Sequence, residues 1–234
     1  MTALEIHNLR FRYAARGGDA ANANGWIVNI PRLQLERGAQ MLLTGASGRG
    51  KSTLLQLIAG LMDPVEGSID VDGQPIHALH GAGRDLFRGS RIGMIFQTFN
   101  LLHGFSAEEN VMAALMFSDA RTFPRSGHRD RARKLLAHLG IDRPHADPDR
   151  LSVGQQQRVA VARAIACDPV LVLADEPTAS LDPESGSVAM DLIQQSCREI
   201  NAALLCVSHD PTMKDRFDRR ASLDELAKEA KAQA

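Results

Sequence analysis

Aromatic side chains are scarce in this chain: one tryptophan, one tyrosine and eight phenylalanines make up 4% of its 234 residues. So few rings argue against a surface that stacks successive nucleic-acid bases. An excess of either charge is also lacking, since 27 basic and 28 acidic residues leave a formal net charge of −1. No overall positive field therefore marks the chain as a nucleic-acid binder. Cysteine is limited to Cys167, Cys197 and Cys206, an odd set without metal-ligand spacing. Reduced core thiols in a reducing compartment, not metal ligands, are the expectation. Long apolar runs are missing as well: Met1 to Arg10 offers no stretch suited to a signal sequence, and nothing approaches the roughly 18 apolar residues of a membrane span. The expectation is a protein that does not itself cross a membrane. At this length a chain buries roughly 70–75% of its unfolded surface, so one large domain, with or without a subdomain, needs no covalent staple.

What is present is concentrated in a few short segments. Gly45-Ala46-Ser47-Gly48-Arg49-Gly50-Lys51-Ser52 is a complete phosphate-binding loop, continued by Thr53. Its glycines allow backbone N–H groups to approach phosphates, Lys51 is placed to meet β/γ oxygens, and the Ser52 hydroxyl can complete a Mg²⁺ shell. A helix starting near Lys51 would direct its positive dipole end at the same phosphates. Ser47 and Arg49 occupy variable positions of the loop and receive no side-chain chemistry. Further on, Val170 to Ala174 is an apolar stretch ending in Asp175-Glu176. A carboxylate at the end of a buried strand is costly unless it faces a cation, so Asp175 is assigned to Mg²⁺. Glu176 is the candidate base that orients or deprotonates an attacking water, a role whose loss costs about 10²–10⁴ in rate. The two segments together point to nucleotide hydrolysis.

The flanking patterns suit such a site. Leu4-Glu5-Ile6-His7 alternates apolar with polar, and Leu9, Phe11 and Tyr13 resume one step out of phase, which predicts a strand bulged near Asn8. Trp26 to Ile30 reads as the returning strand, and Asp72-Gly73 as a two-residue hairpin turn. These make an N-terminal antiparallel sheet. Met41 to Leu43 then enters the glycine loop, and Leu54, Leu55, Leu57, Ile58 and Leu61 recur at helical spacing until Gly60 and Pro64. Ile92 to Phe96, Leu171 to Ala174 and Leu204 to Val207 are further strands of a mostly parallel, helix-covered sheet. The fold class expected is α/β, a P-loop NTPase core with a mostly parallel sheet, an N-terminal antiparallel β subdomain and an inserted α-helical subdomain. One domain spans 1–234: the core with its antiparallel subdomain over 1–97 and 150–221, the helical subdomain over 98–149, and a C-terminal helix over 222–234.

Between the loop and the acidic pair lies Leu151-Ser152-Val153-Gly154-Gln155-Gln156-Gln157-Arg158, and after the pair Pro177-Thr178-Ala179-Ser180-Leu181-Asp182. With these the chain resembles, from Leu4 to about Pro211, the ATP-binding cassette (ABC) ATPases. The resemblance implies ATP and Mg²⁺ as cofactors. It makes Ser152, Gly154 and Gln155 the signature loop that binds the γ-phosphate held by an opposite protomer, and Asp182 part of the loop coupling two sites across a dimer. Gln97 resembles the glutamine that contacts Mg²⁺ and water, and His209 the switch histidine that reaches the γ-phosphate. Tyr13 resembles the aromatic that stacks on adenine, with Trp26 as the alternative. Two departures stand out: Val153 replaces the first central glycine of the signature, and after the histidine the chain offers Ser222-Leu223-Asp224-Glu225, a capping box opening a helix to about Ala232, where a strand and a glycine turn are usual.

A dimer follows from the resemblance, as a homodimer or with a paralogous ATPase, and so does an integral membrane permease docked near Gln97 to Leu102. The protein would then sit peripherally on the cytoplasmic face of the inner (plasma) membrane. Phe96 to Leu102, Glu109-Asn110-Val111 and Gln155 to Arg158 are most similar to the branch of lipoprotein-releasing and macrolide-exporter ATPases. Two alternatives remain: a regulatory ATPase of the cell-division type, and, further off, a nucleic-acid- or ribosome-associated ABC protein, whose tandem cassettes, coiled-coil insertion or basic tail the sequence lacks.

Overall fold

A computed structural model describes residues 1–14, 25–46, 48–118 and 121–232. The loop expected over Ala14 to Gly25 and the loop residue Ser47 therefore fall largely outside the described residues. Strands β1 (Thr2–Phe11), β2 (Val28–Glu36), β4 (Glu66–Val71) and β5 (Gln74–Pro75) form an antiparallel sheet in the order β2-β1-β4-β5. Strands β3 (Gln40–Thr44), β6 (Ile92–Ile95), β7 (Leu171–Asp175), β8 (Ala203–Val207) and β9 (Arg219–Ser222) form a parallel sheet in the order β6-β7-β8-β3-β9. The helices are α1 (Lys51–Ile58), α2 (Gly81–Arg91), α3 (Ala107–Leu115), α4 (His128–His138), α5 (Val153–Ile165), α6 (Pro183–Glu199) and α7 (Leu223–Ala232).

The period-2 geometry of the parallel strands divides the interior into two cores. On β7, Leu171 and Leu173 join one core while Val172 and Ala174 join the other; on β8, Leu205 and Val207 part in the same way from Leu204 and Cys206. The first core lies between the parallel sheet, α1 and the antiparallel sheet, and includes Leu4, Ile6, Ile30, Leu54 and Ile58. The second packs α3, α4, α5 and α6 through Val111, Leu115, Leu136, Val159 and Ile193. Because both faces of the sheet are covered, its strands read as near-continuous apolar runs. All three cysteines are buried and free, and burial raises each thiol, Cys167 to about 11.

Local features of the sequence reappear. Asn8 adopts φ 48°, and the register of β1 against β4 shifts between His7 and Arg10, which is the expected bulge. Asp72 and Gly73 have φ 54° and 76°, the double positive φ that a two-residue hairpin turn between β4 and β5 needs. Two boundaries move. The returning strand starts at Val28, with Trp26 before it, and runs on to Glu36 because its partner β1 is itself ten residues long. Helix α1 ends at Ile58, and Gly60 at φ 65° turns the chain before Leu61. The C-terminal segment does keep a strand: β9 pairs in parallel with β3, and α7 starts immediately after it.

Candidate functional site

Parallel pairing brings the site together at one end of the sheet. Leu43 stands opposite Val207, and Val207 opposite Asp175, so the chain leaving β3, β8 and β7 delivers the glycine loop, Ser208-His209 and Asp175-Glu176 side by side. Ligands of open α/β sheets bind outside these carboxyl ends. Gly50 sits before α1 at φ 86°, where a Cβ would lie 2.7 Å from the Ile27 carbonyl oxygen, so the close turn requires glycine. From α1 the nearly buried Lys51 turns its ammonium back over the loop, donating to the carbonyls of Gly45 at 2.8 Å and Ala46 at 3.3 Å, with Glu176 Oε1 at 3.6 Å.

Asp175 ends β7 half-buried, and its carboxylate accepts a hydrogen bond from Ser52. Burial is the largest influence and raises the carboxyl above its ordinary value; the Ser52 hydrogen bond opposes it, Glu176 adds repulsion and Lys51 offsets part of that. Oδ1 of Asp175 is buried without a hydrogen-bond partner. A cation beside Ser52 and Asp175 would satisfy that atom, so the donor set, one hydroxyl and one carboxylate, fits a Mg²⁺ that takes its remaining ligands from phosphates and water. Among the described residues no cluster of three or more His, Cys, Asp or Glu could hold a metal by itself.

Glu176 is held at both ends. Its backbone N–H donates to the Val207 carbonyl at 3.0 Å. Its carboxylate accepts from Ser208 Oγ at 3.1 Å and from the His209 backbone N–H at 3.1 Å, and His209 Nδ1 lies 2.8 Å from Oε1. Its φ of 46° is left-handed, an unusual conformation for a glutamate and more so before a proline. Sequence reasoning missed Ser208; its place between a buried strand and the histidine was the available signal.

Lys51, Ser52, Thr53, Gly48, Gly50, Asp175, Glu176, Gln97, His209, Tyr13 and Ile27 line one cavity of about 460 Å³. Tyr13 is fixed there by a 3.2 Å hydrogen bond between its hydroxyl and Thr53 Oγ1 and by edge-to-face packing on Phe11 at 5.1 Å. Trp26 lines a separate cavity with Arg49, Asp224 and Lys228, and the guanidinium groups of Arg10 and Arg12 lie 5.8 and 5.0 Å from its ring centroid. Of the two aromatic candidates, Tyr13 shares the cavity with the loop. Gln97 lies just beyond β6, after Phe96, and its carbonyl accepts from Ser180 Oγ at 3.3 Å. The turn beyond it has positive φ at Phe99 and Asn100, whose carbonyls Arg163 of α5 holds at 2.6 and 2.5 Å.

Ser152, Gly154, Gln155 and Asp182 are not among the residues lining that cavity. Ser152 is the N-cap of α5, where its Oγ accepts from the Gln155 N–H at 3.3 Å while Gln155 Oε1 accepts from the Ser152 N–H at 3.0 Å. Val153 is half-exposed in the first turn, and a Cβ at Gly154 would meet nothing within 4 Å, so this helix start is open on its outer side. Asp182 caps α6, accepting from the N–H groups of Glu184 at 3.1 Å and Ser185 at 3.0 Å.

The C-terminal helix reaches the glycine loop. Ser222 pairs with Thr44, so α7 starts beside the loop that follows β3. A Cβ at Gly45 would lie 3.6 Å from Leu223 Cβ, and Asp224 Oδ1 is 3.7 Å from Arg49 Nε.

Residues 28–179 match the ABC transporter family. The chain belongs to that family and is an ATP-binding ATPase. The lipoprotein-releasing system ATP-binding protein LolD of Rhodopseudomonas palustris (strain BisB5) is 39% identical to it, with 94% of this chain and 92% of that one covered. The uncharacterized ABC transporter ATP-binding protein Rv0986 of Mycobacterium tuberculosis is likewise 39% identical, covering 84% and 79%. Among solved structures, the dimeric post-hydrolysis state of the ATP-binding cassette MJ0796 bound to ADP and Pi matches with a TM-score of 0.80 at 30% identity, over 94% of this chain and 93% of that one. The α/β P-loop architecture of this ABC ATPase is thus shared along nearly its whole length.

Proposed function

We propose that this ABC ATPase is the motor subunit of a membrane transporter, closing as a dimer on ATP and driving export or extraction of a substrate through a separate permease. The observation that carries the reading is the division of the site: one cavity gathers Lys51, Ser52, Asp175, Glu176 and His209, while the signature residues Ser152, Gly154 and Gln155 stand on an outward-facing helix start. A second protomer bringing that helix start over the first protomer's cavity completes two sites at once, and the dimeric MJ0796 neighbour supports this arrangement. The chain's likeness to lipoprotein-releasing ATP-binding proteins supports the branch.

In this reading the loop N–H groups and Lys51 bind the phosphates, and Tyr13 offers its ring to the base. Lys51 exchanges the carbonyls of Gly45 and Ala46 for phosphate oxygens. Ser52, Asp175 and Gln97 would hold Mg²⁺, which would supply positive charge against the negative charge of the phosphates. Glu176 accepts a hydrogen bond from the attacking water and draws off its proton. His209, with Nδ1 on Glu176, presents the rest of its ring toward the γ-phosphate. Asp182 lies on the protomer contact that links one site to the other.

No helix among the described residues is long and apolar enough to cross a membrane, so the cargo path belongs to a partner. The docking surface we assign comprises Gln97 to Leu102 and, as a separate patch, a groove of about 740 Å³ lined by α2 and the residues at the end of α3, where Leu86, Met116 and Phe117 are at least half exposed. An apolar helix end of an integral membrane subunit on the cytoplasmic face of the membrane suits that groove. The test is affinity purification of the Glu176→Gln variant from native membranes with ATP and Mg²⁺, followed by mass spectrometry. A permease with a large extracytoplasmic domain supports export or extraction, a partner that controls periplasmic enzymes moves the reading to regulation, and ribosomes or nucleic acid without any membrane protein overturn it.

A further inference from the structure

The left-handed backbone of Glu176 needs a restraint, because it is both non-glycine and followed by Pro177, whose ring disfavours helical conformations in the residue before it. Such a residue keeps its conformation only where its surroundings fix it. Val207 and Ser208-His209 fix the N–H and the carboxylate. On the far side of the residue, the Glu176 carbonyl accepts from the Ala179 N–H at 3.1 Å, closing a tight turn over 176–179. The Gln157 side chain of α5 reaches that turn: its Nε2 donates to the Pro177 carbonyl at 3.2 Å.

Gln157 is only 2% exposed. A buried amide is retained at a cost unless its hydrogen bonds are made, and the carbonyl it meets would be left unsatisfied without it. The same helix carries Ser152 and Gln155 at its outward-facing start, five and two residues earlier in the chain. We infer that Gln157 is a positioning residue for hydrolysis: it anchors the turn after Glu176, keeps the base in its left-handed conformation, and ties that conformation to the signature helix. Gln157 is not among the residues lining the cavity that holds Lys51 and Glu176. Movement of α5 when its N-terminus meets a nucleotide is thereby transmitted to the base in the same protomer. This rests on Glu176 being the base, and the experiment separates the two ideas.

The test uses the full chain with Gln157→Met, which keeps the length and volume but removes the donor. Steady-state ATPase, binding of a fluorescent ATP analogue and thermal melting are measured in the wild type, Gln157→Met, Glu176→Gln and the double variant. Expected are a fall in kcat of about tenfold, from the loss of one buried hydrogen bond, analogue affinity within about twofold of wild type, and no further loss when Gln157→Met is added to Glu176→Gln. Unchanged kcat, a parallel loss of nucleotide affinity, or an equal further loss in the Glu176→Gln background overturns the inference. If Gln157→Met does not fold, Gln157→Asn keeps the amide one methylene too short and is held to the same outcomes. A Glu176→Gln variant that hydrolyses ATP at the wild-type rate refutes the assignment of the base instead, whatever Gln157 does.

Discussion

Replacing Leu223 by alanine tests whether the C-terminal helix supports the glycine loop. Leu223 is 6% exposed, belongs to the same core as Leu43, Leu54 and Val207, and lies 3.6 Å from where a Gly45 Cβ would be. Truncating a buried leucine costs about 2–5 kcal/mol through lost transfer energy and the cavity left behind. A helix near the end of the chain can settle into part of that cavity, so the lower half of the range, about 2–3 kcal/mol, applies here. For a domain of this size each kcal/mol moves the melting temperature by about 2–4 °C, which gives a fall of about 4–12 °C. Alanine keeps the Cβ but removes Cδ1, which lies 3.8 Å from where a Gly45 Cβ would be, so the loop loses part of the wall behind its first turn, and ATP affinity should fall with stability. Circular dichroism melting and binding of a fluorescent ATP analogue, well below the new melting temperature, measure the two effects separately. A variant that melts like the wild type refutes the packing argument. One that melts lower yet binds ATP with full affinity refutes the link to the loop.

Lys51→Ala should reduce ATP affinity by at least about tenfold, since a charge-assisted hydrogen bond contributes about 1.5–3 kcal/mol; equilibrium dialysis showing unchanged binding would count against the assigned loop. Asp224→Asn breaks an exposed pair worth about 0.2–1 kcal/mol, so ATP affinity should shift by no more than about fivefold, and the difference should vanish in high salt. Val153→Gly should leave hydrolysis within about twofold, because the valine side chain is half-exposed in the first turn of α5; a clear rise would mean that the valine restrains closure. Asp175→Asn should stabilise the metal-free protein at pH 7–8 while abolishing Mg²⁺-dependent turnover. Its carboxyl is raised by burial, so the folded chain holds that proton more tightly than the unfolded chain, and the stability this confers, full below about pH 4, is lost as pH rises through the folded value. Equal melting temperatures for wild type and variant at pH 7.5 would show that the carboxylate is not strained there.

The parts of this fold that were legible in the sequence are those written in consecutive residues. The Asn8 bulge showed as a phase slip, the Asp72-Gly73 turn as a dipeptide tolerating positive φ, and the glycine loop as an octet between a strand and a helix. Strand β9 was missed because four residues with only partial burial carry no alternation to read. Its existence depends on pairing with β3, about 180 residues earlier, and nothing local encodes that. For the same reason the sequence separated the C-terminal helix from the glycine loop, although β9 sets Leu223 against Gly45.

The sequence suggested roles by residue type but carried no sign of the restraints on those residues. An Asp-Glu pair after an apolar strand suggests a metal ligand and a base, yet the sequence cannot say that the glutamate stands in a left-handed conformation before a proline, that Ser208 and His209 hold its carboxylate, or that Gln157 holds the carbonyl of that proline. Those contacts come from three elements separated in sequence and adjacent only because β7 lies beside β8 and α5 packs against the second core. The choice between Tyr13 and Trp26 had the same character: both flank a loop, and the hydrogen bond to Thr53, on a helix 40 residues away, is what places Tyr13 in the cavity. The chemistry of this ATPase is therefore written in motifs, whereas the geometry that makes the chemistry efficient is written in pairings between strands and helices. Substitutions at Lys51, Asp175 and Glu176 should remove most binding or turnover. Substitutions at Gln157, Ser208 and Leu223, to which the sequence assigned no role, should grade them.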